Sequence, residues 1–467
     1  MTALPPSQAS RREFLKRASA LSVAGSAAPW ALSLAAMGEA AAADATGYKA
    51  LVCVFMYGGN DYANTVIPYD APNWQAYKNQ RSALAIDRLK LFDPTLGLNT
   101  VLAPTVPLPQ GRRYALAPTL NQLWPSFDAG QLAVMLNIGT LRRITSKTDY
   151  ANKYMLPPKL FSHNDQQSVW QSSLPEGATS GWGGRIGDLF ASSNGKSTFT
   201  CVSVAGNAVY LTGQDGAVQY QVSPSGSVQL AGLGAPLFGS TACSEALRNL
   251  VTAPRTHLYE AEHTRVMARS ISADRDLRGA LPELATVFPA TSLGGQLKMV
   301  AKMIAARNAL QQKRQVFFVS LGGFDTHDNL LAEHPGLLQT VGDAMAAFQK
   351  AMNDELQVAD SVTTFTASDF GRTLTTDGDG SDHGWGGMHF VLGGAVKGKA
   401  FYGTPPEVAS GGANDVGQGR LLPGISVDQL GATLATWFGV APGELKTVLP
   451  NLENYDEGVR NLGFMRT

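Results

Sequence analysis

The stretch "ALVCVFMY" (50–57) is continuously apolar, and both it and "RQVFFVSL" (314–321), apolar through Val316–Val319, run straight into Gly-Gly. A strand with one wet face alternates apolar and polar residues. A continuously apolar strand must be covered on both faces, as at the centre of a parallel sheet with helices on either side. The segments around the second run fit that requirement. "GGQLKMVAKMIAARNALQQK" places Leu297, Val300, Ile304 and Leu310 on one helical face, and "LLQTVGDAMAAFQKAMNDEL" reads as the next helix. "QLAVMLNIGT", "STFTCVSVAG", "NAVYLTG", "SVTTFTASDFGRT" and "MHFVLGGAV" read as further strands, and "VDQLGATLATWFG" as a closing helix. The expected fold class is α/β, a mostly parallel central sheet flanked by helices. Residues 70–125, rich in Pro and Asn, read as a surface excursion, and 214–238 as loop or irregular β structure. There is no internal repeat and no clean linker, so 44–467 is expected to form a single elaborated domain.

In such sheets ligands bind beyond the carboxyl ends of the strands, and the loops expected there are unusually polar. The first gives "GGNDYAN" with Asp61, and the next "GGFDTHDN" with Asp325, His327 and Asp328. A third gives "ASDFGRT" with Asp369 and Arg372, and the Gly-rich "DGDGSDHGWGG" adds Asp377, Asp379, Asp382 and His383. The chain has only seven His, so two of them leaving strand-end loops beside carboxylates suggests a metal site. Mixed imidazole and carboxylate donors suit Zn or Mn in preference to the all-oxygen cages of Ca or Mg. Each residue also has a plainer reading. Asp61 is a common turn former after Gly-Gly. Arg372 either grips an anionic oxygen bidentately or pairs with a neighbouring Asp. Ser162, in "FSHNDQQSVWQSS", is either a helix N-cap or a nucleophile at a helix N-terminus, with His163 beside it as a ligand or base. His389 reads as a core residue, and His257, His263 and His334 as surface ones.

Several function classes drop out. "NGKST" (194–198) has Phe190 where a P-loop needs its first Gly, and no dinucleotide fingerprint, G-x-S-x-G or H-E-x-x-H is present. The N-terminus, "SRREFLKRASALSVAGSAAPWALSLAAMGEAAAADA", carries the twin-arginine pattern, a mildly apolar Ala-rich run and small residues near Ala43. Residues 1–43 are therefore expected to be a removable export signal rather than a membrane anchor. The expected partner is the twin-arginine export machinery, and the expected location periplasmic or secreted. The signal carries a net +2, which leaves the remainder of this formally neutral chain at −2 and without a basic patch for nucleic acid. Cys53 and Cys201 fall in strand-like runs. Cys243 is the one cysteine open to a disulfide.

Taken together, the twin-arginine signal, "YGGNDYANTVIPY", "FSHNDQQSVWQ", "SGWGGRIGDLF", "LGGFDTHDN", "SDFGRT" and "DHGWGG" resemble the bacterial DUF1501 family across the whole mature chain. That family is distantly similar to the alkaline phosphatase and sulfatase superfamily of α/β hydrolases. The resemblance implies an alkaline-phosphatase-like fold and an exported metal-dependent hydrolase of phosphate or sulfate esters acting on a small anionic ester or surface polymer. The alternative is a non-catalytic binding or assembly protein on the same fold. It further implies Asp61, Asp325, His327, Asp369 and His383 as metal ligands, Ser162 as nucleophile and Arg372 as the holder of a substrate oxygen. The superfamily's Asp-His pair is Asp369-Phe370 here, so one ligand is either absent or replaced by Asp382 or His163. No C-x-P-x-R sulfatase activation motif is present.

Overall fold

The computed structural model describes residues 47–227 and 230–466, so the expected signal segment, 1–43, lies outside the described residues. The large sheet is built from Lys49–Met56 (β1), Leu132–Gly139 (β2), Cys201–Ser203 (β3), Tyr220–Gln221 (β4), Arg314–Leu321 (β5), Val362–Ser368 (β6), Gly387–Leu392 (β7), Ala400–Tyr402 (β8) and Ile425–Ser426 (β9). Its order is β8-β2-β7-β6-β1-β5-β3-β4, with β9 also paired to β2. β1 runs parallel to β5 and to β6, with Val52 opposite Phe317 on one side and Thr364 on the other. Within this sheet the antiparallel pairs among the described strands are those of β7 with β6 and β2. The expected mostly parallel α/β sheet is what the chain forms.

β1 shows why the run had to be apolar throughout. Ala50, Val52, Val54 and Met56 point into one core, and Leu51, Cys53 and Phe55 into another. The helices are Ala71–Arg81 (α1), His163–Ser172 (α2), Trp182–Phe190 (α3), Thr241–Thr252 (α4), Leu258–Ala280 (α5), Ser292–Ala305 (α6), Leu330–Lys350 (α7) and Val427–Phe438 (α8). α6 and α7 close the first core with Leu297, Val300, Ile304, Leu338 and Met345. α3 and α8 close the second with Ile186, Phe190, Leu430 and Leu434. Burying such side chains contributes roughly 1.5–3 kcal/mol each, so the two aliphatic layers set the sheet's position.

Three expectations are corrected. Residues 70–125 are a surface excursion only in part: much of 86–113 is exposed, but α1, a small sheet of Val66–Pro68, Val101–Leu102 and Tyr114–Leu116, and the turn Pro118–Leu123 bury Tyr77, Tyr114, Leu120 and Leu123 in the first core. Pro and Asn set the turns there and mask the apolar residues between them. "NAVYLTG" is a tight turn, not a strand, because the Tyr210 N–H donates to the Gln171 side chain rather than to a neighbouring strand. His334 is buried in α7, where Nε2 lies 3.0 Å from Asn60 Oδ1. His389 is buried in β7 as expected, and the three cysteines are free, Cys243 exposed. No described helix is long and apolar enough to cross a membrane.

Candidate metal centre

Since β1, β5 and β6 are parallel, their carboxyl ends open on one edge, and their loops converge there. The pairing continues past the strand ends as a bridge between Asn60 and Gly371, while Arg372 bridges to His383 and brings the Gly-rich loop back to the same edge. Gly58 permits the closest approach. Its φ is +118°, and a Cβ there would lie 2.3 Å from the Asp325 backbone nitrogen, so only glycine lets the β1 loop lie against the β5 loop.

Asp325 is the hub of the cluster. Its Oδ1 lies 2.9 Å from Arg372 Nη1, 3.1 Å from His327 Nε2 and 3.2 Å from His383 Nε2, and its Oδ2 lies 3.4 Å from His163 Nε2. Partial burial works to raise the Asp325 pKa, but the Arg372 hydrogen bond and charge, with the nearby imidazoles, hold it below the usual carboxylate range. Asp369, fully buried, stands behind His163: its Oδ2 lies 2.6 Å from His163 Nδ1 and accepts from Gln167 Nε2 at 2.8 Å and from the Gly58 N–H at 3.2 Å. That hydrogen bond raises the His163 pKa against the opposing effect of burial. His383 Nδ1 lies 2.7 Å from the Phe161 carbonyl, so this nitrogen carries the proton and Nε2 offers its lone pair to the cluster. Burial holds the His383 pKa below the ordinary histidine value. Phe161 presents its carbonyl from a backbone with φ +71°, a conformation that costs a bulky side chain about 1–3 kcal/mol.

These side chains make two ligand sets whose donor atoms lie within 4.8 Å of one another, His163–Asp325–His383 and His327–Asp382–His383. Two observations test their fit to a cation. His327 Nε2 faces His383 Nε2 at 2.9 Å, and two imidazole lone pairs at that distance need a proton or a cation between them. His163 Nε2 is buried without a hydrogen-bond partner, though Asp325 is 3.4 Å away. Backed by the Asp369 carboxylate on its other nitrogen, His163 has the partner arrangement of a metal-ligating histidine. The residues present fit a divalent ion. Because His383 has its other nitrogen on Phe161, it offers a single lone pair, and the two sets compete for it.

Of the expected site residues, Asp325, His327, Asp369 and His383 come together. Asp369 does so as the carboxylate that orients His163, with its buried Oδ1 left without a partner. Three more expected roles change besides that of Asp369, which belongs to neither ligand set. Asp61 is fully buried in an ion pair with Arg81 at 2.6 Å and belongs to neither ligand set. Arg372 is fully buried and spends its N–H groups on the Ser381 carbonyl, the Gly58 carbonyl and Asp325, so it positions Asp325 instead of holding a substrate oxygen. The Ser162 hydroxyl donates to Asp165 at 2.9 Å rather than pointing a nucleophile at the cluster. Asp328 is exposed and outside both sets. Sequence reading missed Gln167 and Phe161. Gln167 stands four residues after His163 on α2, a spacing that predicts a shared face. Nothing in the sequence marks the unusual backbone of Phe161.

The molecule is thus an α/β protein with a histidine–aspartate cluster at the carboxyl edge of its sheet. Its sequence matches the family described as protein of unknown function, DUF1501, over residues 48–445, and the chain belongs to that family. No curated protein matches it. Among solved structures it is similar to Ps i-CgsB in complex with k-i-k-neocarrahexaose, at 9% identity over 87% of this chain and 77% of that one, with a TM-score of 0.36. It is also similar to the PsFucS1 sulfatase from Pseudoalteromonas sp., at 8% identity over 84% and 68%, TM-score 0.32. A third likeness is to alkaline phosphatase from the Antarctic bacterium TAB5, at 9% identity over 76% and 95%, TM-score 0.27.

Proposed function

We propose that this protein is a metal-dependent hydrolase of phosphate or sulfate esters, exported by the twin-arginine machinery to the periplasm or beyond. The observation that carries the reading is the convergence of His163, Asp325 and His383, with donor atoms within 4.8 Å of one another and His163 Nε2 buried without a hydrogen-bond partner. His163, Asp325 and His383 would hold one divalent ion, and their imidazole-rich donor set favours Zn or Mn. When bound, the ion supplies positive charge where an ester's phosphoryl or sulfuryl oxygens gain negative charge. Arg372 keeps Asp325 ionised and fixes its direction. The Phe161 carbonyl keeps His383 in the tautomer that presents Nε2. Asp369 does the same for His163, holding its Nδ1 at 2.6 Å so that Nε2 faces the cluster.

A second reading, a non-catalytic binding or assembly protein, is favoured by Phe370 and Ser162. Phe370 stacks on His163 at 4.9 Å and on His383 at 4.7 Å between ring centroids, and the Ser162 hydroxyl is committed to Asp165. The two separate in one experiment. The mature protein is stripped with a chelator, reloaded with Zn²⁺ or Mn²⁺ and assayed on phosphate and sulfate monoesters. Restored turnover that Asp325→Ala lowers by about 10²-fold or more supports the hydrolase, since charge stabilisation at such sites has that size. A metal-loaded protein inert on every ester supports the second reading.

A further inference from the structure

A cleft of about 260 Å³ opens beside the cluster, lined in part by Tyr57, Asn164, Gln167, Gln171, Glu176 and Asn207. Its lining holds none of the candidate ligands but adjoins them in sequence and through Asp369: Asn164 follows His163 on α2. Gln167 reaches Asp369 with its Nε2, and Tyr57 precedes the Gly58 whose N–H donates to the same carboxylate. We infer that this cleft receives the leaving group of the ester and is built for an uncharged, hydroxyl-rich one such as a single saccharide unit.

The argument is chemical. Four of the six groups named are primary amides; Gln171 is spent on the Tyr210 N–H and the Tyr57 phenol, and the other three leave both donors and acceptors, as a ring of hydroxyls requires. Their existing bonds aim them. Asn207 Oδ1 accepts from the side chains of Gln219 and Gln221, so its NH₂ is the end left for a ligand. Gln167 spends its NH₂ on Asp369 and keeps Oε1 as an acceptor. Tyr57 is fixed by Phe55 at 4.5 Å and Phe318 at 6.5 Å between ring centroids, and a Gln171 hydrogen bond holds its phenol. A rigid amphipathic ring of this kind suits the apolar face of a sugar. No Lys, Arg or His lines the cleft, and Glu176 at its rim is paired with the exposed Lys159 at 3.5 Å. A second anionic group, as in a nucleotide or polyphosphate, would be desolvated there with no cation in the lining to meet it. The volume lies near the lower end of the roughly 300–1,000 Å³ of small-molecule sites, which leaves little room for an acyl chain or a polymer segment.

This inference rests on the ester-hydrolase reading for its substrate but not for its ligand class, and the test keeps the two apart. Binding and kcat/KM are measured for the metal-loaded mature protein with a panel of monosaccharide O-sulfates and O-phosphates, p-nitrophenyl sulfate and phosphate, and nucleoside monophosphates. The wild type is expected to favour at least one saccharide ester over the aryl ester and the nucleotide by about tenfold or more. The Asn164→Ala/Asn207→Ala protein is expected to lose about tenfold of that preference, as for one or two lost hydrogen bonds, with its metal content intact. If no ester turns over but saccharide esters still bind tighter than the others and the variant abolishes the difference, the cleft assignment stands and the hydrolase reading fails. If no saccharide ester is preferred in binding or turnover, or the variant leaves the preference untouched, the assignment is overturned.

Discussion

Asp369 shows how the cluster is tuned by a side chain one step removed from it. Its carboxylate sits 2.6 Å from His163 Nδ1 and raises the basicity of that ring. Asp369→Asn should keep the hydrogen bond but remove the charge. Metal affinity is expected to fall about 10–100-fold, read by competition with a chelator of known affinity; unchanged affinity would remove His163 from the ligand set. Asp61 makes the opposite case. Its pair with Arg81 is completely buried, and Arg81 Nε and Nη2 and Asp61 Oδ2 find no other partner. Arg81→Met should cost roughly 3–5 kcal/mol in urea unfolding, because it strands a buried carboxylate. Arg81→Met with Asp61→Leu should recover most of that loss and bind metal normally. Loss of metal from the folded double variant would return Asp61 to the site.

Among the elements, the Gly-Gly ends of β1 and β5 carry the geometry. Gly58→Ala must displace the β5 loop, since its Cβ would meet the Asp325 nitrogen at 2.3 Å from a backbone with φ +118°. Weakened metal retention is expected together with lowered thermal stability; wild-type retention would mean that the two loops need not touch. This junction was legible in the sequence, because continuous apolarity followed by glycines has few physical meanings. So were β5, β6, the helices α6 and α7 on either side of β5, and the meeting of Asp325, His327, Asp369 and His383 at one edge. The roles of Ser162, Arg372 and Asp61 were not. Each is a polar residue with two chemically sound partners, and only the fold decides which is nearer: Asp165 for Ser162, Asp325 and two carbonyls for Arg372, Arg81 for Asp61. The packing of 70–125 was hidden for a related reason. Its apolar residues are spread over short strands and turns with no period to betray them.

For the molecule as a whole, the second core contributes to its pH response through buried groups away from the candidate ligands, His389 against Trp170 and Asp428 on α8. Burial pushes the His389 pKa down to about 3 from an ordinary value near 6.5. The unfolded chain therefore takes up this proton first, and stability falls as pH drops from about 6.5 towards 3, by about 1.4 kcal/mol per unit. Burial pushes the Asp428 carboxyl up to about 6, which has the opposite sign: the unfolded chain releases the proton first, and stability falls as pH rises from about 4 to 6. Removing each group should reveal the other. Asp428→Asn should steepen the loss on acidification between pH 6 and 4, and His389→Gln should flatten or reverse it, as read by denaturant unfolding at each pH. Parallel slopes in both variants would contradict the assignment. The central claim, that the strand-end cluster is a cation site, is tested most directly by the metal content of the mature protein after native export, beside His163→Ala/His383→Ala. About one transition metal per chain in the wild type, lost from a folded variant, is the predicted result. A folded wild type that holds no metal and takes up neither Zn²⁺ nor Mn²⁺ when supplied would contradict it, and a proton would then be what holds His327 and His383 together.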